Sequence, residues 1–360
     1  MAAARTAGLC LLPVPAVAAS LAFSGLGQSG CKAGGPVPSL QLISRHDRSC
    51  PSRLRCEVKQ PDSFADCLRK DTQMLLSRRL GMTAEGCPIP DALQRLQAQE
   101  LVQLFRHVEE LVAAVDALAA DWPSRHWGPT QIPGLAVAPV RTSYSAFLRS
   151  LSVVDEAIMG LHARPMRETQ WWAPLLTRWR YYVCSLYSWG LLPEPVVQQA
   201  AELLRELRVA GVVDPLAGSG WHARLWQDVG SLGAVALDAY ALQPIMWTKV
   251  QIVEDSRNLA SWGLDKNGAP GIDRWALFLS WPPHSPETVG VDLLRRWPGR
   301  VLVYLGERGM ADALGGHGDD GLTGGRALLE ELDAKWKPVR SWAIPQWPGY
   351  GDDLTVYVRK

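Results

Sequence analysis

One short run constrains the fold of this chain more than any other part of the sequence. An apolar segment at 211–214 ends in Asp214, the turn Gly218–Gly220 follows, and a second apolar run ends at Asp238. A strand, a glycine-rich turn, a helix and a second strand ending in an acid form a β-α-β unit that can hold a nucleoside. The glycines let the backbone approach a ligand where a Cβ would collide, and the acid can accept both hydrogen bonds of a ribose diol.

Helices are predicted before this unit. Apolar residues recur at three- and four-residue steps over 90–122, which predicts a long helix. Similar stripes predict three further helices, over 144–161, 171–189 and 196–208. The segment 127–139 is rich in proline and glycine and is interpreted as a loop. The arginine and aromatic residues of 167–182 follow a helical stripe, which favours core packing over stacking on nucleic-acid bases.

Strand candidates alternate with helix candidates after Asp238. The strand candidates are 250–253, 275–279, 301–305, 339–344 and 354–358, and the helix candidates are 287–297 and 325–336. This alternation implies a parallel sheet with helices on both faces. Only the loop 345–353 separates the last two strands, which suits an antiparallel pair. We therefore predict an α/β fold: a Rossmann-like doubly wound sheet of about seven strands with an antiparallel C-terminal strand, preceded by a helical N-terminal region.

The same pattern divides the chain into three segments. They are a targeting segment or disordered linker at 1–60, a helical region at 61–190 and an α/β domain at 191–360. Residues 6–30 carry no charge and contain the small-x-small pattern Ala16–Ala18, which is typical of a signal peptide or an organellar transit peptide. A disordered alanine-rich tail and a membrane anchor are the alternatives. Prolines and glycines interrupt the run, so no transmembrane helix is expected in the mature chain, and without a leader the chain would be cytoplasmic.

Charge and cysteine usage narrow the function classes. The net charge of +1 gives no argument for binding nucleic acid or an anionic membrane. No cysteine lies at or beyond Asp214, which argues against thiol catalysis in the α/β part, and a disulfide framework within 31–87 would need an oxidising compartment. No pair of cysteines has the C-x-x-C spacing of a zinc site, and the polar loop 315–320 has no ligand spacing either, so no metal is expected. That loop is interpreted as a mobile lid.

With these motifs, the chain resembles the class I S-adenosylmethionine-dependent methyltransferases. Asp214–Gly220 is similar to their first motif, in the Asp-Pro-apolar-Ala-Gly-Ser-Gly form common among members that methylate amino groups. Val235–Asp238 is similar to their second motif and Ser280–His284 to their fourth. A subgroup of methyltransferase-like proteins with a Trp-Pro-Pro motif is similar at Tyr187–Gly190, Trp281–Pro283, Gly306–Glu307 and Trp347–Gly349. The resemblance covers about residues 180–360 and says nothing about the first half.

The resemblance implies S-adenosyl-L-methionine as methyl donor and assigns residues to it. The donor site would comprise Asp214, Ala217, Gly218, Ser219, Gly220, Asp238 and Asp255. Asp255 or its neighbour Glu254 would take the adenine amino group, and the ring faces of Tyr187 or Trp189 would hold the sulfonium cation by cation–π attraction. The residues facing the methyl acceptor would be Ser280, Trp281 and His284. His284 is either a base or a loop histidine without a role.

The implied activity is methyl transfer to a nitrogen or oxygen acceptor that the sequence does not identify. Alignment of the acceptor with the methyl group provides much of the rate, so the site needs no elaborate catalytic apparatus. Trp281 stands where amino-methylating members keep Asp or Asn, and its indole accepts no hydrogen bond, which leaves open a binding protein without catalysis. Gly218–Ala223 also satisfies G-x-G-x-x-A, which leaves open an NAD(P)-dependent oxidoreductase.

Overall fold

A computed structural model places most of the chain beyond residue 62. The residues that it describes are 63–80, 91–120, 130–131, 137–159, 173–239, 245–257, 271–283, 288–308, 323–348 and 350–360. Residues 60–360 form one compact unit. The predicted targeting segment and linker at 1–60, the loop 315–320 and His284 lie outside the described residues.

Eight α-helices lie within the described ranges. They are α1 Phe64–Leu80, α2 Asp91–Ala120, α3 Val137–Met159, α4 Ala173–Leu186, α5 Glu194–Glu206, α6 Trp221–Asp228, α7 Thr288–Arg296 and α8 Gly325–Lys335. The predicted helices at 90–122, 171–189 and 196–208 are confirmed as α2, α4 and α5. The prediction that α3 begins near Tyr144 is wrong, because the helix already begins at Val137. Pro139 lies in its first turn, where the missing N–H would have no helical partner, so proline is tolerated there.

Nine strands accompany these helices in the part of the chain that is described. They are β1 Thr130–Gln131, β2 Gly211–Asp214, β3 Gly233–Asp238, β4 Ile245–Met246, β5 Val250–Ile252, β6 Trp275–Ser280, β7 Val301–Glu307, β8 Trp336–Ala343 and β9 Asp352–Arg359. Seven of them form one sheet in the order β5-β3-β2-β6-β7-β9-β8, and β1 pairs with β4. β9 is antiparallel to both of its neighbours, β7 and β8, whereas the other pairs are parallel. The predicted Rossmann-like α/β fold with an antiparallel C-terminal strand is confirmed.

The strand order reverses beside β2. The chain runs from β2 to β3 and on to β5 at one side, and then returns to β6 at the other side of β2. At such a switch point the connections leave in opposite directions and open a crevice outside the carboxyl ends of the two strands, where ligands of open α/β sheets bind. The crevice therefore lies where β2 ends at Asp214 and β6 ends at Ser280.

Helices cover both faces of the sheet. Along β7, Val303 belongs to a buried cluster shared with Phe147 of α3 and Val183 of α4. Its neighbour Leu302 points to the opposite face and belongs to a cluster shared with Leu293 of α7. This alternation follows from the pleat of a strand, and burial on both faces explains the continuous apolar sequence of β7. None of the described helices is both long and apolar enough to cross a membrane.

Candidate functional site

The glycine-rich turn and the acid that follows the second strand of the β-α-β unit meet at the crevice. The Ala217 N–H donates to the Leu237 carbonyl at 3.0 Å. The next amide, that of Gly218, donates to Oδ2 of Asp238 at 2.8 Å. Parallel pairing of β2 with β3 brings the two strand ends together and makes these contacts possible. The sequence predicted both elements, and the fold places them side by side.

The two glycines of the turn have different surroundings. Both have a positive φ, +52° at Gly218 and +77° at Gly220, a conformation that glycine adopts without steric cost. A Cβ built on Gly218 would have no atom of the described residues within 4 Å, so among them the backbone is bare on that side. A Cβ on Gly220 would lie 2.8 Å from Cγ2 of Thr248, so this glycine is required for packing at the start of α6. Gly218 is therefore the residue of the turn that a ligand could approach.

Asp214 is buried at the end of β2 beneath this turn. Its Oδ1 accepts a hydrogen bond from the Leu216 N–H at 3.2 Å, which is a turn that Asp often forms with its own backbone. Its Oδ2 is buried and has no hydrogen-bond partner among the residues that the structure describes. Burial raises the pKa of Asp214 to about 8, with a further contribution from the charge of Asp238. Burial therefore favours the protonated form of Asp214 compared with an exposed carboxyl.

Ser219 and His222 hold the segment 187–190 against the turn. The Ser219 hydroxyl donates to the Tyr187 carbonyl, and Nε2 of His222 lies 2.9 Å from the Gly190 carbonyl. Burial lowers the pKa of His222 to about 4, so the ring is neutral and donates through a protonated Nε2. Ser219, predicted as a donor-binding residue, thus has a structural role in joining the segment 187–190 to the β-α-β unit.

The two aromatic residues predicted to hold a sulfonium lie in different environments. Tyr187 is 1 % exposed, and its ring stacks on Tyr144 and on Trp247 while Trp221 meets it edge-on. This packing makes Tyr187 part of an aromatic core. Trp189 is 44 % exposed and stacks on Trp281 with ring centroids 6.0 Å apart. Of the two, only Trp189 presents a ring at the surface.

Trp281 follows the last residue of β6, the buried Ser280, and has an unusual backbone. Its φ is +47°, a left-handed conformation that costs a non-glycine residue of order 1–3 kcal/mol. Its N–H donates to the Leu305 carbonyl at 2.9 Å. Its indole Nε1 donates to Oδ2 of Asp352 at 2.9 Å. The chain therefore turns sharply after β6 and directs the indole toward the first residue of β9.

Three aromatic rings surround a cation next to this contact. The guanidinium carbon of Arg180 lies 4.9 Å from the ring centroid of Trp189, 4.7 Å from that of Trp281 and 4.1 Å from that of Tyr350. Such distances are those of cation–π attraction. Nε and Nη2 of Arg180 are buried and have no hydrogen-bond partner among the described residues. The exposed ring of Trp189 is thus already in contact with a cation of the chain itself.

Asp255 follows β5, and its carboxylate forms an ion pair with Arg257. Its Oδ1 accepts from both the backbone N–H and Nε of Arg257, each at 2.9 Å. These hydrogen bonds lower its pKa. The neighbouring Glu254 is exposed. A role of Asp255 toward adenine would therefore require it to share its carboxylate with Arg257.

The sequence predictions for the site did not include Arg180 or Asp352. A usable signal existed for Asp352, since it stands two residues before the apolar run of a strand predicted to be antiparallel. The start of an antiparallel strand lies at the same sheet edge as the carboxyl ends of its parallel neighbours. The register accordingly pairs Asp352 with Glu307, the last residue of β7. No comparable signal marked Arg180, because its position depends on how α4 packs on the sheet.

Within the described residues, no group of three or more His, Cys, Asp and Glu side chains is placed to hold a metal ion. Comparisons with protein-family models and with curated proteins found no match to this chain.

Proposed function

We propose that this chain transfers a methyl group from S-adenosyl-L-methionine to a nitrogen or oxygen acceptor. The observation that carries the proposal is the hydrogen bond between the Gly218 amide and Asp238 at the switch point of the sheet. It joins a bare glycine backbone to a carboxylate at the place where open α/β sheets bind nucleosides. The seven-stranded sheet with an antiparallel C-terminal strand, as the resemblance implied, supports the same proposal.

The residues of the crevice fit the donor. A carboxylate offers about four acceptor positions, so Asp238 can bind the Gly218 amide and also ribose hydroxyls. The open side of Gly218 allows the donor to lie against the backbone. Asp214 lies buried beneath the same turn, and its Oδ1 accepts a hydrogen bond from the Leu216 amide. The bound donor would supply an electrophilic methyl group carried on a sulfonium.

Titration calorimetry with S-adenosylhomocysteine, the demethylated donor, tests the proposal. The folded protein should bind it, and Asp238→Ala should weaken binding by roughly 10- to 100-fold, because hydrogen bonds to a charged group are lost. Asp333→Ala is the matched control, since it removes an exposed carboxylate from α8 and should leave the affinity unchanged. Absence of binding by the folded protein would reject the proposal. Protection from thermal unfolding by NAD(P)H alone would favour the oxidoreductase instead.

A second candidate, a methyltransferase-like protein that binds without catalysis, is favoured by one observation. The guanidinium of Arg180 lies among the rings of Trp189, Trp281 and Tyr350. A cation of the chain itself therefore fills the aromatic site that a sulfonium or a cationic acceptor would need. If this candidate is correct, S-adenosylhomocysteine binds, yet labelled methyl groups enter no protein, nucleic acid or small molecule of a cell extract. Incorporation above a control without the protein would exclude it.

A further inference from the structure

Asp352 has the features of a reactive carboxylate. It is the first residue of β9 and lies opposite Glu307 at the carboxyl edge of the sheet, and it reaches the end of β6 through its contact with Trp281. Its Oδ2 accepts from the Trp281 indole, whereas Oδ1 is buried without a hydrogen-bond partner among the described residues. Buried carboxylate oxygens are nearly always hydrogen-bonded, so an unmatched oxygen beside a candidate site indicates that a ligand group or water completes it.

Trp281 is held in the orientation that this contact needs. Its left-handed backbone is a strained conformation, and such conformations persist only where the surrounding structure enforces them, often at functional sites. The Leu305 carbonyl fixes its N–H, and the guanidinium of Arg180 lies over its ring. The indole therefore has little freedom to turn away from Asp352. Trp281, whose indole accepts no hydrogen bond, therefore orients Asp352, whose carboxylate can accept one.

Resting on the proposed function, we propose that Asp352 binds the methyl acceptor and takes its proton, and that Trp281 is the positioning residue for this carboxylate. Asp352 would thus provide the polar side chain that amino-methylating members of the resembled family keep at the position of Trp281. The acceptor class is a group whose nucleophilic atom carries a hydrogen, either a hydroxyl or an N–H. In the transfer, the lone pair of the acceptor forms the bond to the methyl carbon, the carbon–sulfur bond breaks with its electrons going to sulfur, and the proton passes from the acceptor to Oδ1 of Asp352.

The surroundings of Asp352 adjust its proton affinity for this role. Burial is the main reason that the pKa of Asp352 is raised to about 7, and the negative charges of Glu307 and Asp353 raise it further. The hydrogen bond from Trp281 and the positive charge of Arg180 act in the opposite direction and lower this pKa. The other titratable groups that act on or respond to this carboxyl are Cys184, Tyr304 and Tyr350. A general base works best when its pKa lies near the working pH. The ionised form, which can accept a proton, dominates above pH 7.

Substitutions at these two positions test the proposal with three measurements. Asp352→Asn should bind S-adenosylhomocysteine within about two-fold of the unchanged protein but transfer labelled methyl groups to a cell extract at least 100-fold more slowly. Asp333→Asn is the control, since it removes an exposed carboxylate from α8 that does not act on Asp352, and transfer should persist. Carbon-13 NMR of aspartate carboxyls in the full chain should show one resonance that titrates near pH 7 and is absent in Asp352→Asn.

Trp281→Phe tests whether Trp281 positions Asp352 or serves only the packing of the chain. This variant keeps the Asp352 carboxylate, so it also tests the proposal if Asp352→Asn fails to fold. Loss of the indole donor should shift both the carboxyl titration and the pH profile of transfer to higher pH. Unchanged transfer by Asp352→Asn, or titration of Asp352 at an ordinary carboxyl pKa, would overturn this proposal while S-adenosylhomocysteine binding still supported the proposed function. Binding without any transfer by the unchanged protein would also overturn it. Absence of binding would reject both.

Discussion

At the scale of single residues, two glycines of one turn should respond differently to the same substitution. Gly218→Ala adds a methyl group in open space and costs only the left-handed backbone, about 1 kcal/mol of unfolding free energy. Gly220→Ala meets the Thr248 side chain at 2.8 Å and that of Val250 at 2.9 Å as well, so crowding raises its cost to roughly 2–4 kcal/mol. Urea unfolding of both variants measures the difference.

The same pair also separates stability from ligand binding. Gly218→Ala should weaken S-adenosylhomocysteine binding although the protein stays folded, because the new methyl group enters the space left for the ligand. Equal stability losses for the two variants would contradict the packing described for Gly220. Undiminished binding by Gly218→Ala would show that no ligand lies against this amide.

A second residue-scale prediction concerns the pH dependence of stability. The pKa of Asp214 is about 8 in the folded chain and close to 4 in an unfolded one. Between these values the folded protein holds a proton on Asp214 that the unfolded chain has released, so the contribution of Asp214 to the unfolding free energy falls as the pH rises from 4 to 8. Asp214→Asn cannot titrate, and it should therefore reduce this fall by on the order of a few kcal/mol.

Urea midpoints measured at intervals from pH 4 to pH 8.5 follow the unfolding free energy. Asp352 adds to this decline up to about pH 7, whereas His222, whose pKa is lowered, contributes a rise up to about pH 6.5, so the effect of Asp214 is the difference between the curves of Asp214→Asn and the unchanged protein. Asp333→Asn, which removes the exposed carboxylate of α8, should leave the slope as it is. Parallel curves for Asp214→Asn and the unchanged protein would contradict the raised pKa.

At the scale of elements, the apolar runs predicted the central strands well. β6 and β7 are buried along their length, so each appears in the sequence as an uninterrupted apolar run between turn residues. The edge strand β8 was predicted to begin at Val339, but it begins at Trp336. Lys337–Ser341 are exposed and include Pro338, because an edge strand pairs on one side only and tolerates proline and charge there.

The candidate site was predictable only in part for a related reason. The turn Gly218–Gly220 and Asp238 belong to one local β-α-β unit, whose spacing carries its own signal. The contact between Trp281 and Asp352 joins two distant segments and arises from the insertion of β9 beside β7. Arg180 reaches the site from α4 of the helical region. Periodicity can place each of these residues on an element, but it carries no information about which elements meet.

At the scale of the whole molecule, the helical region and the sheet share one core. Val183 and Tyr187 belong to the same buried cluster as Phe278 and Val303 of the central strands. Tyr144 of α3 meets Trp221 of α6 edge-on at 5.0 Å. The buried cluster therefore extends across residue 190, where the sequence pattern changes from helices to alternating elements. The helical region contributes Arg180 and Trp189 to the surroundings of Trp281.

The proposed function requires that the crevice beside the first crossover binds the nucleoside of a methyl donor. A crystal structure of the full chain with S-adenosylhomocysteine would show where this ligand lies. We expect the ribose hydroxyls within hydrogen-bond distance of Asp238, the ligand against the Gly218 backbone, and the sulfur on the side of Trp281 and Asp352. A ligand bound elsewhere, or a crevice filled by side chains of the chain, would contradict the proposed function.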